Sequence, residues 1–378
     1  MRIVIAPDKF KGSLTGFEYC DAVAQGLRMV FPDAEIIKKP LADGGDGTID
    51  VVKYYTEGKR IPITASDPLF RTINTSYVLS KTAGLAFIEM AEISGLKLLL
   101  SHERNSLHTT SLGFGELIVD AIAKGAKELI LGIGGSATSD GGMGMAHALG
   151  FRFLDGNGKE LKPIGSSLIK VKKIDSSKVN PKLGSVRVKV ACDVSNSLYG
   201  PEGAAHIYAG QKGGSKTEIE ELDKGLENYA KVLQEEFEVD VQRIKGSGAA
   251  GGVGAGASVF LHSELVSGIE LIKEIADFDA SIENADWIIT GEGQLDAQTL
   301  SGKTISGVLA SAKKKNIPVA ALCGSVGISV RAQEAFGLSY ATSIVKGVSS
   351  LEEAMDSSYD NLVVAAYNFA MLLKNAVR

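Results

Sequence analysis

Five short apolar runs in this chain each end in a turn that carries aspartate or glutamate, usually beside glycine. Residues 3–6 lead into Pro7-Asp8-Lys9-Phe10-Lys11-Gly12-Ser13, and Pro40-Leu41-Ala42 leads into Asp43-Gly44-Gly45-Asp46-Gly47-Thr48. Residues 129–131 lead into a longer turn, Gly132-Ile133-Gly134-Gly135-Ser136-Ala137-Thr138-Ser139-Asp140-Gly141-Gly142. Residues 188–191 run into Cys192-Asp193-Val194-Ser195-Asn196, and residues 287–289 into Thr290-Gly291-Glu292-Gly293-Gln294-Leu295-Asp296. A strand that ends in a glycine-rich turn presents backbone N–H groups able to cradle an anion. Carboxylates at such turns repel phosphate unless a cation lies between them. Five together point to a site for phosphate and magnesium.

The rest of the pattern is α/β. Apolar runs alternate with amphipathic stretches, the mark of βαβ units and a parallel sheet. Strands are expected over residues 3–6, 35–38, 129–131, 287–290, 319–322 and 341–344, and helices over 14–30, 112–123, 304–315 and 351–373. Ser13 or Thr15 caps the first helix, and with Thr15 the partner Glu18 completes a capping box. Residues 59–89 alternate polar and apolar like antiparallel strands, and residues 151–265 mix short strands, a charged helix near 218–236 and the glycine run 246–256. These textures predict a Rossmann-like parallel-sheet domain (1–58, 107–150 and 270–378). A second α/β domain (59–106 and 151–269) is inserted into it, with the active cleft between the two.

Composition narrows the partners. A chain of 378 residues exceeds one ordinary core, which favours two domains. The net charge of −5 argues against nucleic acid or an anionic membrane as a partner. Lys313-Lys314-Lys315 reads as a solvated helix end before Asn316-Ile317-Pro318. Cys20, Cys192 and Cys323 are far apart and form no CxxC, which fits a reducing cytosol and offers neither a disulfide framework nor a zinc site. The five histidines show no metal-ligand spacing. The first strand is too short for a signal-peptide core and no apolar run approaches a membrane span, so a cytoplasmic chain is expected.

Three nucleotide-binding matches compete. Gly302-Lys303-Thr304, with Ala297 in the first position, is a relaxed P-loop, but residues 291–296 separate it from its strand; Ser301 capping a helix start is the plain reading. Gly132-x-Gly134-x-x-Ala137 follows a strand and has Asp155 at the spacing of a ribose-binding acid, which makes an NAD-dependent oxidoreductase the alternative function. Against it stand Gly141, Gly142 and Gly144 where a first helical turn should be, and Asp140 facing the pyrophosphate without a cation. Gly246-Ser247-Gly248-Ala249-Ala250-Gly251 also fits GxGxxG, but lacks a preceding strand; small residues for a close backbone contact explain it.

In order and spacing, the acid and glycine turns resemble the type I glycerate kinases over essentially the whole chain. The residues carrying the likeness are 5–14, 42–48, 132–142, 192–200, 248–252 and 289–296. The resemblance implies ATP-dependent, magnesium-dependent phosphorylation of D-glycerate, with 2-phosphoglycerate as product and no P-loop. This chain departs from the family in having Lys9 where serine is commoner, Asp46 for glutamate, Ser197 for proline and Ser247 for alanine. No departure removes a charge from the constellation.

Phosphoryl transfer asks for positioning, a metal, cations on the transferring group and a residue near the attacking hydroxyl. On that basis Asp193 either holds magnesium or orients the glycerate hydroxyl, with an Asx-turn as the structural alternative. Asp296 and Glu292 flank Gly293, and one of them is the expected metal ligand because two apposed carboxylates repel. Asp8 and Lys11 stand at the first strand's exit, the ligand edge of an α/β sheet, with a plain surface pair as the alternative. Together with Asp193 and Asp296 they are the candidate catalytic residues. Ser13, Asp43, Gly44, Gly45 and Asp46 are candidate substrate contacts. Gly134, Gly135, Ser136 and Thr138 are candidates for phosphate, Asp140 for metal, Lys303 for phosphate and Arg71 for the glycerate carboxylate. The expected partners are D-glycerate and ATP, and a homodimer is compatible with the sequence.

Overall fold

The computed structural model describes residues 1–45, 47–296, 299 and 303–376. Asp46, Ala297, Ser301 and Gly302, which figured in the motifs above, lie outside the described residues. The chain forms two compact units, one of Met1–Asp43 with Gly268–Arg378 and one of Gly44–Ser267.

The first unit is built on five parallel strands in the spatial order Tyr340–Ser343, Val319–Cys323, Trp287–Thr290, Arg2–Ile5, Glu35–Lys38. Numbered along the chain and read from the other edge, this is 2-1-3-4-5, a doubly wound order whose reversal falls between Arg2–Ile5 and Trp287–Thr290. Ile3, Ile5, Ile289, Ala320 and Leu322 pack into one cluster with residues of the helices Gly16–Arg28 and Ser358–Ala376. Val4, Ile288 and Ala321, pointing the other way along the same strands, are also fully buried, as a parallel sheet covered on both faces requires. Each buried valine, leucine or isoleucine among them contributes about 1.5–3 kcal/mol by leaving water. At Gly26 a Cβ would lie 2.3 Å from the Val363 carbonyl oxygen, so only glycine lets these two helices meet.

Local signals set the helix starts. Thr15 accepts from the Glu18 amide at 3.1 Å while Glu18 accepts from the Thr15 amide at 2.8 Å, the capping box expected there. The single helix expected over 351–373 is instead two, Leu351–Asp356 and Ser358–Ala376. At the break the Ser358 hydroxyl donates to the Met355 carbonyl at 2.7 Å, a local bond that competes with the helical ladder.

The second unit holds a six-stranded sheet in the order Glu264–Val266, Arg187–Ala191, Glu128–Gly132, Leu85–Glu89, Thr72–Ser80, Lys59–Ser66. The first four strands are parallel, and the last two form the antiparallel hairpin foreseen in residues 59–89. Here the structure departs from the expected boundaries. Glu128–Gly132 pairs with Leu85–Glu89 and Arg187–Ala191 and not with the first sheet, so residues 44–58 and 107–150 pack within the second unit. The inserted unit is therefore one continuous excursion of the chain between the second and third strands of the first sheet.

Candidate functional site

In the first unit the reversal of strand order places two turns side by side. Asp8 donates its amide to the Gly291 carbonyl at 2.9 Å, fastening the turn after Arg2–Ile5 to the one after Trp287–Thr290. A Cβ on Gly293 would lie 3.8 Å from the Lys11 nitrogen, so the two turns stay in contact further along. Open α/β sheets bind ligands at the carboxyl ends of their strands where the order reverses, and Asp8, Glu292 and Asp296 occupy that edge.

These carboxyls perturb one another. Burial raises the Asp8 carboxyl to about 6, reinforced by the charge of Asp43 and opposed by its bonds to Thr304 and the Lys9 amide. The Thr304 hydroxyl donates to Asp8 Oδ2 at 2.5 Å from the first turn of the helix Thr304–Lys314. Burial likewise raises Glu292 to about 7; Thr299, whose hydroxyl donates to Glu292 Oε1 at 2.5 Å, pulls it back. Asp8 and Asp296 push Glu292 upward, and Lys303 pulls it downward. Asp296 Oδ1 accepts from the Thr299 amide at 3.2 Å within its own turn. The Thr299 hydroxyl in turn accepts from the Asp296 amide at 3.1 Å, so the two residues cap each other across this turn.

Three further residues expected at the site lie in this unit. The Ser13 hydroxyl lies 2.9 Å from the Met355 carbonyl and 2.5 Å from Ser358 Oγ, tying the first turn to the C-terminal helices. Lys11 is exposed, and Lys303 is half-buried next to the acidic cluster.

In the second unit the parallel strands end in register: Glu89 opposite Gly132, Gly132 opposite Ala191, and Ala191 opposite Val266. Their turns therefore leave from one edge. Asp193 is exposed there and accepts from the Ser267 hydroxyl at 2.9 Å, while Asn196 is held by Tyr208 and the Glu202 carbonyl. The Gly44 carbonyl lies within 3.7 Å of where a Gly132 Cβ would stand, which brings the Gly44–Gly45 turn to the same edge.

The long turn after Glu128–Gly132 divides into an open part and a buried part. Gly134 and Gly135 are exposed, and a Cβ on Gly134 would meet nothing within 4 Å; Ser136, 7% exposed, begins the buried part. Thr138 is fully buried, and among the described residues its hydroxyl has no partner. Asp140 is fully buried and accepts from the Ser111 amide and hydroxyl, both at 2.8 Å, and from the amides of Gly142 and Gly144 at 3.1 and 3.0 Å. Burial raises its carboxyl against the pull of those bonds. With four donors already in place, Asp140 shapes the turn, and the geometry gives no support to the metal role expected of it. The glycine run seals the back of the turn: Gly251 has φ +69°, its carbonyl accepts from the Gly141 amide at 3.0 Å, and a Cβ there would lie 2.1 Å from the Thr138 carbonyl.

Arg71 is also committed elsewhere. Its guanidinium donates to Asp67 Oδ2 at 2.5 Å and to Glu103 Oε1 at 2.6 Å, and those two carboxylates raise its basicity. The oxidoreductase alternative loses its structural basis. Asp155 caps its own turn through the Asn157 and Lys159 amides, and the strand before it, Arg152–Leu154, pairs antiparallel with Lys173–Asp175 in a separate two-stranded sheet.

Sequence reasoning missed Lys212. This lysine is 2% exposed, and its Nζ donates to Ser136 Oγ at 3.0 Å and to the Thr138 carbonyl at 2.6 Å. Burial lowers its ammonium to about 7, with Asp140 opposing the fall. Nothing around Gln211-Lys212-Gly213-Gly214 signals a buried cation; the two glycines are the sole hint of a close approach. Thr299, Thr304 and Ser267, which hold carboxylates in place, were missed because their partners are set by the tertiary fold.

The doubly wound unit, with ionisable side chains gathered at its strand-order reversal, is the framework of an α/β enzyme. Comparison with known proteins makes this specific. The model of the glycerate kinase family matches residues 3–374. The chain is 43% identical to a glycerate kinase of Halalkalibacterium halodurans over 98% of this chain and 97% of that one. It is 42% identical to the glycerate 2-kinase of Escherichia coli K12 over 100% and 99% of the two chains. A crystal structure described as a glycerate kinase 2 from Salmonella typhimurium LT2 superposes with a TM-score of 0.91 at 41% identity, covering 100% and 99%. The chain belongs to the glycerate kinase family and is a kinase. Among the described residues no helix is long and apolar enough to cross a membrane.

Proposed function

We propose that this enzyme transfers the γ-phosphate of ATP to a hydroxyl of D-glycerate and releases 2-phosphoglycerate. The observation that carries this reading is the end-to-end likeness to the Escherichia coli protein named a glycerate 2-kinase.

Among the described residues no three His, Cys, Asp or Glu side chains are arranged to hold a metal ion by themselves. That agrees with magnesium, which usually takes one or two carboxylates and completes its shell with water and substrate phosphate. Asp8 and Glu292 fit this demand: both are oxygen donors, and in each burial and a neighbouring carboxylate (Asp43 beside Asp8, Asp8 beside Glu292) disfavour the bare negative charge that a cation would offset. They would hold the ion, and Asp43 and Asp296 would add negative charge around it. When bound, magnesium offsets the charge of the nucleotide phosphates.

The remaining work falls to side chains of the chain itself. Thr304 and Thr299 fix the carboxylate rotamers, so little is lost to reorganisation when the nucleotide arrives. Lys303 supplies a positive charge beside Glu292. In the inserted unit Ser136, with the open space at Gly134, receives an anionic group. Asp193, oriented by Ser267, accepts the proton of the attacking hydroxyl.

The test is ADP release measured with D-glycerate, lactate, tartronate and glucose, followed by 31P NMR of the product. Release confined to D-glycerate, with phosphorus coupled to the C2 proton, supports the proposal. Equal release with lactate contradicts the substrate assignment, and coupling to the C3 protons contradicts the product.

A further inference from the structure

A buried lysine donating to a serine that borders an exposed glycine turn is an arrangement with a chemical consequence. Lys212 Nζ has two acceptors, Ser136 Oγ and the Thr138 carbonyl. When a serine oxygen accepts from an ammonium, its own proton must point elsewhere, and the hydroxyl becomes a stronger donor because hydrogen bonds in a chain polarise one another. Ser136 is 7% exposed whereas Lys212 is 2% exposed, so the lysine reaches its surroundings chiefly through the serine. Beside Ser136, the space at Gly134 is open. Four donors fix Asp140 behind the turn, and its charge favours the protonated form of Lys212. The glycine run packed on the Thr138 carbonyl keeps the lysine's second acceptor in place.

We propose that Lys212 is a positioning residue that turns Ser136 into an oriented donor for an anionic oxygen of a substrate, either a phosphoryl oxygen of the nucleotide or the carboxylate of the acceptor. The inference rests on the kinase reading for the identity of the ligand, but not for the existence of the anion site. Lys212 does not touch the reacting atoms; it acts through Ser136. Removing either partner should therefore remove the same function, and removing both should cost no more than the worse single change.

The experiment uses the full chain as wild type, Lys212→Met, Ser136→Ala and the double variant. Thermal melting is followed with inorganic phosphate, ATP or D-glycerate, because a ligand that binds only the folded state raises the melting temperature. The wild type is expected to be stabilised by phosphate, and by whichever of ATP and D-glycerate carries the recognised anion; both single variants should lose that shift. In turnover, KM for that same substrate should rise roughly tenfold in each single variant, about 1.4 kcal/mol, with KM for the other substrate unchanged. The double variant should match the worse single one.

A wild type that none of the three anions stabilises overturns the proposal, as does a shift that survives in Lys212→Met, or additive losses in the double variant. If Lys212→Met does not fold, Ser136→Ala decides alone: loss of the shift supports the proposal and its retention overturns it. Failure of the kinase reading shows differently, as a wild type stabilised by phosphate that releases no ADP on addition of D-glycerate.

Discussion

The Thr304 hydroxyl donates to Asp8 Oδ2 at 2.5 Å although 296 positions separate the two residues in the chain. This bond spans the whole excursion of the inserted unit and locks a turn near the N-terminus to a helix start in the C-terminal third. It anchors a group of carboxyls whose proton affinities follow from their shared surroundings.

The first prediction concerns pH and metal. Asp8 and Glu292 are raised to about 6 and about 7 from ordinary values of 3.8 and 4.5, so the folded chain holds their protons to higher pH than the unfolded chain does. Their contribution to stability is present below about pH 4 and is lost as pH rises through about 6 and 7. Magnesium should therefore raise the melting temperature more at pH 8 than at pH 5.5, since the carboxyls must be ionised to bind it. Glu292→Gln should shrink that difference. Equal magnesium shifts at both pH values would show that these carboxyls do not bind the ion.

Asp193→Asn should lower kcat by roughly a hundredfold, the scale of a positioned acid–base group, with the melting temperature nearly unchanged because the side chain is exposed. The amide still accepts from Ser267, so the change removes charge and little else. Near-normal turnover in a folded protein would move the role to Asp296.

Asp140→Ala should destabilise the fold by about 3 kcal/mol or more, since four donors lose a buried charged acceptor. Denaturant unfolding measures the loss directly. A stable Asp140→Ala protein with weakened magnesium binding would restore the metal role expected from the sequence.

The contrast between Asp140 and Asp8 shows where a sequence speaks and where it stops. A strand followed by an acid-bearing turn says that a carboxylate leaves the carboxyl edge of a sheet, and Asp8, Glu292 and Asp193 all do. Local rules were equally readable: Thr15 with Glu18 forms its capping box, and so does Ser215 with Glu218 at the start of the charged helix Lys216–Phe237. What a turn's side chains bond to is decided by distant residues. Ser111 claims Asp140, Met355 and Ser358 claim Ser13, and Glu103 claims Arg71 alongside its local partner Asp67. Sheet membership is equally non-local. The apolar run at 129–131 suits either parallel sheet, and only its pairing with Leu85–Glu89 and Arg187–Ala191 assigns it. Lys212 illustrates the extreme, a charged residue in a polar stretch whose burial no local pattern announces.

The most direct test of the central claim is ADP release by the purified enzyme with and without D-glycerate, in magnesium and in excess EDTA. The account predicts release that requires both D-glycerate and magnesium, and that stops when EDTA is added. ATP consumption at the same rate without D-glycerate, or full activity in excess EDTA, would contradict it.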